Sequence, residues 1–108
     1  MKLNRPYFLG FIFFFSFAFV ASSALAADQK TQDLYQSTCQ GCHGADGRGS
    51  AIGQKLGAKA FHDPGVEKMS GSALKKTISD GKNKMPAYKG KLTEQQIDAL
   101  VKYIRALK

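Results

Sequence analysis

With 108 residues, 16 Lys and Arg against 8 Asp and Glu, and only two cysteines, the chain has room for one small domain carrying a surplus of positive charge. An apolar core of that size leaves little stability margin, so a staple is expected. A basic surface suits an acidic protein partner or an anionic membrane face. Nucleic acid is disfavoured, because only Arg48 and Arg105 remain beyond residue 26 and the chain opens on an export signal.

That signal comes first in the chain. Lys2 and Arg5 form a short positive region, Tyr7 to Val20 is almost wholly apolar, and Ala24-Leu25-Ala26 supplies an A-x-A cleavage site. The expected domains are therefore a signal peptide over 1–26, cleaved after Ala26, and one domain over 27–108. The competing reading is an uncleaved anchor, since no charge interrupts Tyr7 to Ala27. Either reading places the domain in the periplasm or on the outer face of a bacterial membrane. Without Lys2 and Arg5 the chain keeps 14 basic and 8 acidic side chains, a formal +6.

Asp28 to Gln40 reads as a helix, capped by Asp28, with Leu34 and Tyr35 as its apolar side. It delivers Cys39-Gln40-Gly41-Cys42-His43, the stretch around which the rest is organised. C-x-x-C-H is the attachment pattern of a c-type haem. Two thiols that add to one edge of a porphyrin must face the same way, and residues i and i+3 of a helical turn do so. The histidine that follows is then placed to offer a nitrogen to the iron. A thioredoxin-like dithiol would want a βαβ neighbourhood, which is not visible. A structural zinc site would need four ligands, with His43 and His62 added at unusual spacing. Outside the cell a disulfide would be the usual staple. Here both cysteines are taken, so the haem is the staple, and the apoprotein is expected not to fold stably.

Gly44 to Gly53 reads as a glycine-rich loop with an Asp46-Gly47 turn, followed by Leu56 and Phe61 as candidate pocket walls. Asp63-Pro64 is a helix start lasting one or two turns, to Met69. Ser70 caps a further helix with Leu74 and Ile78 on one side, and Gly81 stops it. Gly81 to Gly90 is again a loop. Thr93 opens the last helix, with Gln96 completing a capping box and Ile97, Leu100, Val101, Ile104 and Leu107 forming its apolar stripe. No strand pattern or internal repeat is visible in 27–108. The fold class is all-α, three to four helices wrapped around one covalently attached haem.

For a second axial ligand the candidates are Met69, Met85 and His62. Met85 is favoured: it lies in a loop, where a thioether can turn inward, and Pro86 stiffens the backbone beside it. Met69 suits the core or a pocket wall, and His62 a surface or loop position.

Three stretches carry a resemblance to a family. Cys39-Gln-Gly-Cys42-His43-Gly44, then Gly81-Lys-Asn-Lys-Met85-Pro86-Ala-Tyr88, then the Thr93-to-Leu107 helix resemble class I monohaem cytochromes c, above all small bacterial, c6-like and cbb3-oxidase-type haem domains. The resemblance implies one haem c held covalently by Cys39 and Cys42, with His43 and Met85 as axial ligands and Leu56 and Tyr88 in the pocket. It implies a first and last helix that cross, bringing Leu34 and Tyr35 near Leu100 and Tyr103. It also implies that the carbonyl of Gln54, where many members have Pro, accepts a hydrogen bond from the second nitrogen of His43. Members often have Gly where Thr31 stands and a Trp near a propionate, which this chain lacks.

With both axial positions filled, the expected role is one-electron exchange and not catalysis: a periplasmic carrier working with acidic oxidases, reductases or other cytochromes. The alternatives are a haem subunit of a larger dehydrogenase, a ligand-binding or catalytic haem protein if Met85 does not hold the iron, and a haem-free dithiol module. Lys82, Lys84, Lys89 and Lys91 flank Met85 and suit docking of an acidic partner.

Overall fold

The computed structural model describes residues 2–3, 10 and 21–107. Much of the apolar run from Tyr7 to Val20 lies outside the described residues. Among the described residues six helical segments follow one another: α1 (Ala21–Thr38), α2 (Gln40–His43), α3 (Ala51–Lys55), α4 (Pro64–Glu67), α5 (Gly71–Asp80) and α6 (Glu94–Ala106). Among the described residues there is no strand, so the protein is all-α, as its sequence indicates. Two isolated bridges, Lys82 with Met85 and Lys89 with Leu92, are all the ladder pairing the loops make. No helix among the described residues is long and apolar enough to cross a membrane.

Helix boundaries follow from local side-chain chemistry at most ends. Asp63 accepts from the Gly65 N–H with Pro64 at the first helical position, and Ser70 accepts from the Ala73 N–H. At the head of α6 the box closes in both directions: Thr93 Oγ1 accepts from the Gln96 N–H at 3.1 Å, and Gln96 Oε1 accepts from the Thr93 N–H at 2.9 Å. Gly81 ends α5 at φ +73°, a backbone that a residue with a Cβ rarely adopts.

Two expectations need correction. Asp28 caps nothing, because α1 already runs from Ala21 and Asp28 lies inside it. The helix crosses the expected cleavage point after Ala26 without a break. The glycine-rich loop is also shorter than the sequence suggests, since Ala51 to Gly53 belong to α3. Ser50 makes that turn helical. Its Oγ accepts from the Gly53 N–H at 3.0 Å and donates to the Gly41 carbonyl at 2.7 Å, so one hydroxyl caps α3 and fastens it to α2.

The expected crossing is present. Tyr35 of α1 packs on Tyr103 of α6, ring centroids 5.1 Å apart, and both Tyr35 and Leu100 are 1% exposed. Leu74, Ile97 and Val101 complete the buried apolar core among the described residues. Leu34 is only half-buried, so Tyr35 carries the contact. Lys75 reaches from α5 to Asp98 and Glu94 of α6 at 3.0 and 3.9 Å, at the exposed edge, where such pairs contribute little. Arg105 donates to the Met69 carbonyl at 2.6 Å and holds the end of α6 against the α4–α5 connection.

Thr93→Ala removes the hydroxyl half of the capping box and is expected to cost about 1 kcal/mol. The denaturant midpoint should fall while the slope of the transition stays unchanged.

Candidate haem site

The attachment turn is nearly continuous with α1. The Cys39 N–H donates to the Tyr35 carbonyl at 2.8 Å, and the Cys42 and His43 N–H groups both return to the Cys39 carbonyl, at 3.2 and 2.9 Å. This one wound turn sets Cys39, Cys42 and His43 along the same cleft, with both thiols free. Gly44, at φ +77°, ends the turn and lets the chain leave at once. The Tyr35 hydroxyl donates to its carbonyl at 2.6 Å, fixing the residue next to His43 to α1.

The cleft has a volume of about 250 Å³ and lies between α1, α5, α6 and the two long loops. Its walls are mostly apolar: Tyr35, Leu56, Phe61, Val66, Leu74, Ile78, Leu92, Leu100 and Ile104. Met85, Pro86 and Tyr88 line it from the other loop, together with Met69. The sequence-derived site residues Cys39, Cys42, His43, Leu56, Met85 and Tyr88 thus converge on one space. Leu56, 46% exposed, stands at its rim with the exposed residues Lys59, Lys82, Lys84 and Pro86. His62 does not line it. That histidine lies half-buried in the loop before α4, a loop position as expected, and faces a smaller cavity shared with Glu67 and Arg105.

The imidazole of His43 is held by stacking. The Phe61 ring lies 4.9 Å away, centroid to centroid, at an interplanar angle of 29°. Burial lowers the pKa of His43 and so favours the neutral ring, the form that binds a metal. Burial likewise pushes the Cys39 thiol up to about 11. The hydrogen bond expected from His43 Nδ1 to Gln54 is not made: Nδ1 is buried with no partner. Gln54 lies inside α3, and its carbonyl accepts instead from the Gly57 N–H at 3.1 Å as the helix closes.

Two glycines matter here in a way sequence reasoning did not find. A Cβ on Gly53 would lie 1.8 Å from the Cys42 carbonyl oxygen, so α3 can press on the attachment turn only because Gly53 has no side chain. A Cβ on Gly81 would lie 2.6 Å from the Met85 carbonyl oxygen and 2.9 Å from the Ala87 nitrogen, so the end of α5 seats the Met85 loop in the same manner. The Met85 backbone is pinned further by a tight turn: Lys82 N–H donates to Met85 O at 3.1 Å and Met85 N–H to Lys82 O at 2.9 Å. Asn83, within that turn, takes φ +53°.

Residues 26–104 match the family described as cytochrome c oxidase, cbb3-type, subunit III. Cytochrome c6 of Nostoc sp. (strain PCC 7120 / SAG 25.82 / UTEX 2576) is 37% identical over 94 residues, covering 83% of this chain and 79% of that protein. Cytochrome c6 of Thermosynechococcus vestitus (strain NIES-2133 / IAM M-273 / BP-1) is 31% identical over 76% of this chain and 72% of its own length. Among solved structures, the KustC0563 c-type cytochrome superposes with a TM-score of 0.67 at 35% identity, covering 72% of this chain and 96% of its own. The chain is a class I cytochrome c. Its cofactor is haem c, covalently held, and its work is electron transfer. The cleft fits that group: two free thiols on one turn, a half-buried imidazole whose Nδ1 has no partner and a thioether lining the same apolar space are a donor set for a haem, and no disulfide competes for the thiols.

Gly53→Ala is expected to cost about 3 kcal/mol or more, because the clash is with backbone that cannot give way locally. Gly57→Ala has open space and only a positive φ against it, and should cost about 1–2 kcal/mol. The yield of haem-loaded protein and its unfolding midpoint, compared for the two variants, check the difference.

Proposed function

We propose that this cytochrome is a periplasmic one-electron carrier in which Cys39 and Cys42 hold the haem and His43 and Met85 supply its axial ligands. When bound, the haem supplies one-electron exchange between ferrous and ferric iron. The observation that carries the reading is the convergence of His43, from the helical turn α2, and Met85, from the loop after α5, on one apolar cleft. Each ligand is held by neighbours: the His43 ring by stacking on Phe61 and its backbone beside the Tyr35–Gly44 bond, Met85 by its turn and by Gly81. A thioether ligand and an apolar surround both favour the ferrous state and raise the potential. With both positions filled no open site remains for substrate, so the protein is read as a carrier and not an enzyme. The N-terminal apolar run ending in Ala24-Leu25-Ala26 supports export and cleavage.

Partners are read from charge. The exposed Lys59, Lys82 and Lys84 stand at the rim of the cleft, and Lys89 and Lys91 are exposed in the same loop as Met85. An acidic oxidase, reductase or cytochrome would be steered to that rim.

The deciding experiment is the visible spectrum of the haem-loaded protein, oxidised, reduced, and reduced under carbon monoxide. A low-spin c-type spectrum with the weak far-red band of a ferric methionine–iron bond, and no response to carbon monoxide, is expected. A high-spin or carbon-monoxide-sensitive spectrum would contradict Met85 ligation. Met85→Ala should remove the far-red band, admit carbon monoxide and lower the potential. Replacing Lys82, Lys84, Lys89 and Lys91 by Gln should slow electron transfer to an acidic partner about tenfold at low ionic strength and flatten its salt dependence. An unchanged salt profile would place docking elsewhere.

A further inference from the structure

Tyr88 is connected more heavily than a loop residue needs to be. Its N–H donates to the Ile78 carbonyl of α5 at 3.1 Å, and its carbonyl accepts from the Lys91 and Leu92 N–H groups at 2.9 and 3.0 Å. Its hydroxyl crosses to the other side of the cleft and donates to the Thr38 carbonyl at 3.2 Å. Thr38 is the last residue of α1 and precedes Cys39. The final carbonyls of a helix have no intrahelical partner, so this bond meets a standing need at the end that carries the attachment turn. Burial raises the phenol's pKa, which keeps it a donor across the neutral range.

We propose that the Tyr88 hydroxyl positions the distal ligand: it fastens the loop that carries Met85 to the end of α1, beside Cys39, and so keeps the sixth iron position closed to other ligands. The inference rests on the reading of Met85 as that ligand. Met85 sits between two fixed points. On one side Gly81 packs directly on the backbone from Met85 to Ala87; on the other, three residues on, Tyr88 is tied to α1. A phenylalanine would fill the same space and leave the Ile78, Lys91 and Leu92 backbone bonds intact. Only the link between the distal loop and α1 needs the oxygen. Tyr35 makes the matching link on the other side, from α1 to Gly44 beside His43. The two axial ligands are thus referred to one helix by two tyrosine hydroxyls.

The test uses haem-loaded wild type, Tyr88→Phe and, as a control for lost stability alone, Thr93→Ala, each in the ferric state. The far-red band, the affinity for added cyanide and the global unfolding midpoint are read on each. Losing one hydrogen bond that favours the closed state should raise the cyanide affinity of Tyr88→Phe between about twofold and tenfold, and the far-red band should fade at a lower temperature than in wild type. Thr93→Ala loses a hydroxyl bond at a helix start outside the cleft and should lower the unfolding midpoint with cyanide affinity unchanged. Tyr88→Phe with wild-type cyanide affinity and an intact band, whatever its stability, would overturn the proposal and leave the hydroxyl a purely structural group. A wild-type ferric protein without the far-red band would remove Met85 as ligand, and the inference with it.

Discussion

An apolar cleft runs through the middle of a very small domain, and the rest of the structure is arranged to wall it. Leu56, Phe61, Ile78, Leu92 and Ile104 face it from separate segments and are not buried by one another. Only Tyr35, Leu74, Ile97, Leu100 and Val101 form a core in the ordinary sense among the described residues. Burial of that few apolar side chains does not offset the conformational entropy of ordering so short a chain. The covalently held haem c, a large flat apolar group, supplies the missing contacts. The cofactor is therefore as much a part of the core as any helix, and the electron-transfer site and the stabilising centre are the same place.

The same constraint explains the unusual backbone contacts. The attachment turn has to be held in one shape, and α3 holds it by touching the Cys42 carbonyl through Gly53 and the Gly41 carbonyl through Ser50. The loop that carries Met85 faces the same cleft from another segment, and α5 seats it through Gly81. Close backbone contact of this kind gives rigidity without bulk, and a redox centre that changes charge but not ligands gains from a rigid shell.

Features written in local chemistry were legible before the structure. Asp63-Pro64, Ser70 and the Thr93–Gln96 pair each mark a helix start with side chains that act on their own backbone, and each is found where it was read. The family motifs around Cys39 and Met85 were legible because the ligand chemistry fixes residue type and spacing. What the sequence concealed depends on contacts between distant segments. Nothing local distinguishes Gly53, which sits inside a helix, from Gly57, which faces open space. The Gln54 carbonyl was assigned to His43 by analogy, but the turn that Ser50 caps claims it for Gly57. Asp28 has the right chemistry for a cap, yet the helix simply continues through it. Tyr35 read as part of an apolar helix side and Tyr88 as a pocket residue; their hydroxyl bonds appear only once α1 and the two loops are placed around the cleft.

The most direct measurement is far-ultraviolet circular dichroism with denaturant titration, made on the haem-loaded protein and on the same chain produced without haem attachment. The loaded protein is expected to show full helix content and one cooperative transition, the haem-free chain low helicity and no cooperative transition. A haem-free chain with native helix content and a sharp transition of similar midpoint would contradict the account, because the protein side chains would then suffice as a core.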